Sequence, residues 1–465
     1  MTDMPNPQNL RGARVTVIGL GIEGIDLVRF LAAEGARVTV SDMRSADQLR
    51  DALRAIADSN ATPSLGGNRV EDVIEADAVF VSQGVPSTLP ALVAARERGI
   101  PLSSMLELFL ERCPAPVTGI TGSSGKTTTT SLTGAMLEAS GQDYVVGGNI
   151  GVGLLSLLPQ ITPTTRVVAE MSHSQLERVH RSPHVACVTN VTPNHLDRYS
   201  WDEYIELKRN IVRYQGTDDV AILNYDNEIT RSFAASTPAR VLHTSRFEAI
   251  PGDGAVLDDG VLVRVLGGAR EAVVPRSEVA LRGEHNVENL LLAIAVASQI
   301  GCSAADCAQT ARTFTGVLHR LEPVATAGGV LWVNDSIATT PERTLAGLRA
   351  YTEPLVLLLG GRDKYLPNDE MAAEAVRRCR AVVAFGESGD LYADAVREAA
   401  RAAGSDLPVR RVETVEDAVA TASGLVRAGD VVLFSPAGTS FDRYRNFEER
   451  GEAFRVAVRA LGEGR

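Results

Sequence analysis

The chain has 465 residues and a net charge of −12, from 58 acidic residues against 46 Lys and Arg. That length exceeds what one hydrophobic core spans, so two or three domains are expected, and the negative balance excludes nucleic acid as the main partner, because phosphate backbones call for basic patches. Five scattered cysteines without a CxxC pair exclude a disulfide framework and a thiolate zinc site. The longest apolar run, Leu290 to Ala297, is far short of the roughly 20 residues of a membrane span, so a cytoplasmic chain without membrane contact is expected.

Short β-branched runs alternate with helical patterns along the whole sequence, the signature of α/β architecture with largely parallel sheets. Ligands of open α/β sheets bind beyond the carboxyl ends of strands, so the residues that follow each run matter most. Arg14 to Ile18 runs into Gly19-Leu-Gly21-Ile22-Glu23-Gly24, a GxGxxG, and Arg37 to Ser41 runs into Asp42, 23 residues after Gly19. This is a dinucleotide-binding fingerprint, glycine for the turn and an acid for the ribose, and it leaves an oxidoreductase open, although Glu23 sits where a pyrophosphate would come close. Ala78 to Val81 then meets Ser82-Gln83-Gly84.

Val117 to Ile120 precedes Thr121-Gly122-Ser123-Ser124-Gly125-Lys126-Thr127-Thr128, a glycine-rich loop ending in Gly-Lys-Thr. Inward backbone N–H groups, a lysine for the β and γ phosphates and a threonine hydroxyl for Mg²⁺ make such a loop a triphosphate cradle. It departs from GxxxxGK[ST] in having Ile120 at the first glycine position; a Gly/Ser turn carrying a chance lysine is the rival reading. Val167 to Ala169 ends at Glu170-Met-Ser172-His-Ser-Gln-Leu-Glu177, where a carboxylate can hold Mg²⁺ against the cradled phosphates or cap the next helix.

His184 to Thr189 leads to Asn190-Val-Thr-Pro-Asn-His195-Leu-Asp197. His195 is a metal ligand or a satisfied hydrogen-bonding residue, and Lys208, thirteen residues on in a helical run, is functional or ordinary surface charge. Asp226 to Arg282 reads as a β-rich excursion. Gly283-Glu-His-Asn286-Val-Glu-Asn289 opens a helix from Leu290 to Ser298, with Asn286 and Asn289 on one face able to meet an adenine edge; capping by Asn286 is the rival.

In the last third, Val330 to Val333 meets Asn334-Asp335-Ser336, Leu355 to Leu359 meets Gly360-Gly361, and Val431 to Phe434 meets Ser435-Pro-Ala-Gly438. With His319-Arg320 and Lys364 these strand ends gain fixed positive charge, which an acidic second substrate needs. The expected divisions are residues 1–104, 105–315 and 316–465, each built on an α/β sheet, with the first ten residues disordered.

Thr-Gly-x-x-Gly-Lys126-Thr, Gly-Gly-Asn149-Ile-Gly, Glu170-x-Ser-x-x-Gln-Leu-Glu177, Asn-His195-Leu-Asp-Arg, Gly-Glu-His-Asn286-x-x-Asn289, His319-Arg320-x-Glu and Asn334-Asp-Ser together resemble the Mur ligases of peptidoglycan synthesis. The resemblance covers all three domains in order. Ser435-Pro-Ala-Gly-Thr-Ser440-Phe-Asp442 followed by Arg445-Asn-Phe447-Glu-Glu-Arg-Gly451 is similar to the branch that adds D-glutamate to UDP-N-acetylmuramoyl-L-alanine.

The resemblance implies a monomeric, ADP-forming acid–amino-acid ligase of cell-wall biogenesis, and so of cell shape and division. Residues 1–104 would hold the UDP substrate, with Gly21, Ile22, Asp42, Arg44, Ser82 and Gly84 around the nucleotide, and Asn149, Ser172 and His195 along its sugar-peptide arm. Residues 105–315 would hold ATP through Gly122, Ser123, Ser124, Gly125, Lys126, Thr127 and Thr128, with Asn286, Asn289, Arg320 and Asp335 at its nucleoside and phosphate end. Two Mg²⁺ ions are implied, one on Thr127 and Glu170, the other on His195 and a CO₂-derived carbamate on Lys208. Carbamylation needs a neutral amine, so a depressed pKa is expected at Lys208. Lys126, Glu170, His195 and Lys208 are the implied catalytic set, and Thr339, Lys364, Ser440 and Phe447, in residues 316–465, the glutamate grip.

There are three departures from the family pattern: Ser124 for asparagine, His173-Ser174 for Ser-Phe, and Ile337 for lysine. The last leaves open which enantiomer of glutamate is used. A sister ligase that adds another amino acid or extends folate with glutamate also stays open.

Overall fold

The computed structural model describes residues 10–149, 153–194, 196, 198–364 and 366–463, which fall into two compact units, 1–314 and 315–465. The call of disorder over the first ten residues fails at Leu10, which is buried in the core; residues 1–9 lie outside the described ones.

The first unit carries two sheets. One comprises β1 (Arg14–Ile18), β2 (Arg37–Asp42), β3 (Thr62–Leu65), β4 (Ala78–Val81) and β5 (Leu102–Ser103), all parallel in the order β3-β2-β1-β4-β5. The order reverses between β1 and β4, which opens a crevice at their carboxyl ends. The helix Ile22–Ala33 enters tightly after β1, because a side chain at Gly24 would lie 2.0 Å from the Gly19 carbonyl.

The second sheet comprises β6 (Val117–Thr121), β7 (Tyr144–Gly148), β8 (Arg166–Glu170), β9 (Val185–Val188), β10 (Val220–Asn224), β11 (Arg240–Ser245), β12 (Gly254–Asp258), β13 (Val261–Leu266) and β14 (Ala269–Pro275). Its order is β14-β13-β12-β11-β10-β9-β6-β8-β7. The β-rich excursion is therefore no separate body: β11 pairs parallel to β10, and β12, β13 and β14 continue the same sheet, the last two pairings antiparallel. The helices Lys126–Ala139 and Glu284–Gln299 pack their apolar faces on one side of it. On the other side a single core merges Val15, Leu27 and Phe109 of the first sheet's layer with Val167, Val188 and Ile211, which is why both sheets share one unit.

Two acids of the helix Ile22–Ala33 reinforce that joint. Asp26 accepts the Leu155 and Ser156 N–H groups at 2.9 and 3.0 Å, and Glu23 accepts Gln175 Nε2 at 2.6 Å.

The second unit holds β15 (Glu322–Ala327), β16 (Val330–Asn334), β17 (Leu355–Gly360), β18 (Cys379–Phe385), β19 (Val409–Arg411) and β20 (Val431–Ala437), in the order β15-β16-β20-β17-β18-β19. Only β15 runs antiparallel among these pairings, so β16, β20 and β17 present three adjacent carboxyl ends. Among the described residues no helix is long and apolar enough to cross a membrane.

Candidate active site

The loop between β6 and the helix Lys126–Ala139 is fixed by contacts that only glycine permits. Gly122 has φ +150° and a side chain there would lie 1.9 Å from Thr189 Oγ1; Gly125 has φ +81° and a side chain there would lie 2.2 Å from Asn289 Oδ1. Lys126 Nζ donates to the Gly122 and Ser123 carbonyls at 3.0 and 3.2 Å, over the loop's mouth. The segment after β9 braces the loop: Asn190 accepts the Ser123 N–H on its carbonyl at 2.8 Å and the Ser124 N–H on Oδ1 at 3.0 Å. Ser123 Oγ lies 3.2 Å from the Tyr204 hydroxyl. Ile120 lacks any need to be glycine, because it is a fully buried strand residue paired on both sides, with Glu170 and Cys187.

Glu170 and Lys208 converge on the same strand ends. Glu170 is buried; Oε1 accepts Asn149 Nδ2 at 2.8 Å, while Oε2 is buried with no hydrogen-bond partner among the described residues. The rival reading of Glu170 as a helix cap is overturned, since Ser172 caps the next turn in a reciprocal box with Gln175. Lys208 lies on the buried face of Trp201–Arg213, only 1% exposed, and Nζ donates to Thr121 Oγ1 at 3.0 Å, whose hydroxyl in turn donates to the Met171 carbonyl at 2.6 Å. Burial, with the Lys126 charge adding to it and Glu170 opposing, holds the Lys208 ammonium well below its ordinary range. The surface-charge reading of Lys208 fails on this burial.

A buried carboxylate oxygen without a donor is costly unless a cation takes it. Together with Thr127, half-buried in the helix's first turn, the Glu170 donor set fits a hard divalent ion. His195, the remaining expected ligand and substrate contact, lies outside the described residues.

A cleft of about 460 Å³ opens at the switch point of the first sheet, and Gly21, Ile22, Asp42, Arg44, Ser82 and Gly84 all line it. Asp42 accepts the Leu20 N–H at 2.7 Å, and its two oxygens take Arg44 Nε and Nη2 at 3.0 and 2.8 Å. Burial alone would raise this carboxyl, yet the Arg44 and Leu20 hydrogen bonds carry it below its ordinary value. The acid thus holds a guanidinium at the cleft rim, a group suited to phosphate. A smaller cavity of about 370 Å³ lies at the opposite, amino ends of β6, β8, β9 and β10; its His184 and Arg240 are already paired with Asp219 and Asp253.

In the second unit, Asn334 Nδ2 donates to Glu322 Oε2 at 3.0 Å and lies 2.9 Å from His319 Nδ1, fixing the turn that presents Arg320. Asp335 is buried; it accepts Ser435 Oγ at 2.8 Å and the Leu321 N–H at 3.2 Å, and burial pushes its carboxyl up to about 7. Lys364 Nζ stands 3.4 Å from Thr339 Oγ1, and partial burial with the neighbouring Arg343 charge lowers its ammonium. Ser336 Oγ donates to the Phe447 carbonyl at 2.8 Å, and Ser440 is buried in the adjoining turn. Arg343 also donates to the Ile337 carbonyl at 3.1 Å, so a cation reaches this loop although Ile337 supplies none.

Matches to known families run along the chain: the Mur ligase MurD-like N-terminal domain at residues 13–104, the Mur ligase middle domain at 120–297 and the Mur ligase glutamate ligase domain at 319–438. A protein of Symbiobacterium thermophilum named UDP-N-acetylmuramoylalanine--D-glutamate ligase is 41% identical over 451 residues, 96% of this chain and 98% of that protein. This chain belongs to the Mur ligase family. A protein of Acetivibrio thermocellus with the same name is 38% identical over 458 residues, 98% of each chain. Among solved structures, a UDP-N-acetylmuramate-alanine ligase from Thermotoga maritima shares the fold, with TM-score 0.57 at 19% identity over 97% of this chain and 100% of that one.

As a Mur ligase the chain has no use for a nicotinamide, and the oxidoreductase reading of Gly19 to Gly24 falls. Asn286 is not a cap either: Gly283 is, and the helix starts at Glu284, six residues before the expected Leu290. Asn286 Nδ2 donates to the Arg282 carbonyl at 2.7 Å and Oδ1 accepts Asn289 Nδ2 at 3.1 Å, which aims Asn289 at Gly125 of the loop. Ser124 is exposed and holds its place through backbone atoms, so its side chain is free to differ from the family asparagine.

Thr121 and Asn190 stand inside quoted motifs, but their tasks, bonding Lys208 and bracing the loop, gave no local signal; nor, in the second unit, did the role of Arg450. Arg450 is fully buried and donates to Ser336 Oγ, the Gly438 carbonyl and the Ser336 carbonyl at 3.1, 2.9 and 2.7 Å. The one cue available was an arginine inside the run Arg445 to Gly451.

Proposed function

We propose that this chain is an ATP-dependent ligase that joins D-glutamate to UDP-N-acetylmuramoyl-L-alanine in the cytoplasm, acting as a monomer. The observation that carries the chemistry is the buried Lys208 amine beside the phosphate loop and the Glu170 oxygen that has no partner among the described residues. The choice of D-glutamate rests on the name shared by relatives that match over nearly the whole length.

A carboxylate is a poor electrophile, so the alanyl carboxylate first attacks the γ phosphate of ATP, releasing ADP and leaving an acyl phosphate. Lys126, held over the loop mouth, offsets charge on the transferring group, and the loop's N–H groups and the helix N-terminus behind them fix its position. The amine of glutamate then attacks the acyl carbon, loses a proton, and phosphate departs with one oxygen of the original carboxylate. Thr127 and Glu170 would hold one Mg²⁺, and His195 with a carbamate on Lys208 a second; when bound, such ions neutralise phosphate charge. The neutral amine that burial favours at Lys208 is the form that adds CO₂, giving a carbamate and a proton. Arg44 and Ser82 hold the diphosphate end in the cleft, while Thr339, Lys364, Ser440 and the backbone at Phe447 grip glutamate, with Arg343 supplying the cation that Ile337 does not.

Turnover of substrate labelled with ¹⁸O in its alanyl carboxylate tests this route. Labelled phosphate supports an acyl phosphate; unlabelled phosphate rules it out. Stripping CO₂ from the buffer should slow the reaction and bicarbonate should restore it, and indifference to both would remove the carbamate from the scheme.

A further inference from the structure

One side chain joins the nucleotide cleft to the strand end that bears Glu170. Gln83 follows β4 and lines the cleft. Its backbone N–H donates to Glu23 Oε2 at 3.0 Å. Its side-chain Oε1 accepts Ser172 Oγ at 3.2 Å and Ser174 Oγ at 3.1 Å, both in the turn that starts two residues after Glu170. The circuit closes through Gln175, whose Nε2 donates to Glu23 Oε1 at 2.6 Å while its Oε1 accepts the Ser172 N–H at 2.8 Å. Cleft wall and strand end are thus locked through hydrogen bonds spanning up to 152 residues of sequence. Ser174 stands at one of the positions where this chain departs from the family's Ser-Phe, and the hydroxyl it gains is spent on Gln83.

We propose that Gln83 is a positioning residue that sets the span between the nucleotide-holding cleft and the phosphate-transfer centre; this rests on the ligase reading above. The substrate is anchored at its nucleotide in the cleft and must deliver a carboxylate to the phosphate loop, so its reactive end is placed only as well as the two centres are held relative to each other. A misplacement of about 1 Å at a distance from the chemistry is enough to cost catalysis heavily. Gln83 touches both sides of that frame, and it also holds Glu23, the other residue that spans them.

The test is Gln83→Leu, close in shape but without an acceptor, beside Ser174→Ala. Calorimetric titration with UDP alone reads the cleft, and kcat/KM for UDP-N-acetylmuramoyl-L-alanine reads the span. The expected result is an unchanged Kd for UDP in both variants, with kcat/KM down about tenfold in Gln83→Leu and about threefold in Ser174→Ala, the scale of one or two lost hydrogen bonds. The double variant should be no worse than Gln83→Leu, since both changes break the same contact. Loss of UDP affinity matching the loss in kcat/KM, additive losses in the double variant, or kcat/KM equal to the wild type would each overturn the proposal. Should Gln83→Leu not fold, Ser174→Ala carries the same two readouts. A wild-type chain inactive on this substrate would sink the ligase reading itself, whereas an active wild type matched by Gln83→Leu sinks only the role of Gln83.

Discussion

Lys208 concentrates the energetic conflict of the first unit. A lysine 1% exposed, hydrogen-bonded to Thr121 and facing the charge of Lys126, pays desolvation without a full counter-charge. The unfolded amine keeps its proton up to its ordinary value of 10.5, whereas the folded amine has lost it well below that. The unfolded state therefore binds more protons across that window, and stability rises with pH through it. Lys208→Met should raise the melting temperature at neutral pH by at least about 2 °C, flatten this pH dependence, and lower turnover by about a hundredfold or more. A variant less stable than the wild type, or one that keeps its turnover, would contradict the role assigned to Lys208. Asp335 behaves in the opposite sense. Its carboxyl is pushed from 3.8 to about 7 by burial, so the folded state holds the extra proton across that window and stability falls as pH rises through it. In Asp335→Asn the melting transition of the second unit should lose that decline; a decline of the same size in both proteins would show that Asp335 is not its source.

At the level of elements, the site depends on strand ends tied together from behind. Arg450, on the helix Phe447–Glu463, binds the loops after β16 and β20 through three hydrogen bonds, and burial pushes its guanidinium down to about 10. Arg450→Ala would leave the Ser336 and Gly438 carbonyls buried without their donor, at a cost of about 3 kcal/mol measured by urea unfolding; a change within experimental error would mean that the loops are held by other contacts. Strands such as Arg14–Ile18, Arg37–Asp42 and Val431–Ala437 were legible because β-branched runs stop at glycine or a polar residue, and the polar ends of the first two are where the nucleotide cleft lies. Tyr144–Gly148 and Val220–Asn224 were not singled out: one ends in two glycines, the other is a short apolar run that periodicity cannot tell from a buried helix. The excursion from Asp226 showed its β character, while its union with the central sheet depends on the pairing of β10 with β11, which no local pattern announces. Lys208 stands out in its helical run, but only the resemblance gave it a role; its burial is a tertiary fact, set by the packing of Trp201–Arg213 on His173–Leu176 and on β6, which lies far away in sequence.

For the molecule as a whole, the chain divides into two compact units, 1–314 and 315–465. The first unit carries both the nucleotide cleft and the phosphate loop, joined by one core and by Glu23, Asp26 and Gln83. The second unit carries Lys364 and Arg343 beside its strand ends, cations suited to a dicarboxylic amino acid. The most direct measurement is phosphate release by the purified chain with ATP, Mg²⁺ and UDP-N-acetylmuramoyl-L-alanine, run against a panel of D- and L-amino acids. The ligase assignment predicts release only with D-glutamate, one phosphate per amide formed. Silence with every amino acid, equal release without any, or a response to L-glutamate or another amino acid instead would contradict it.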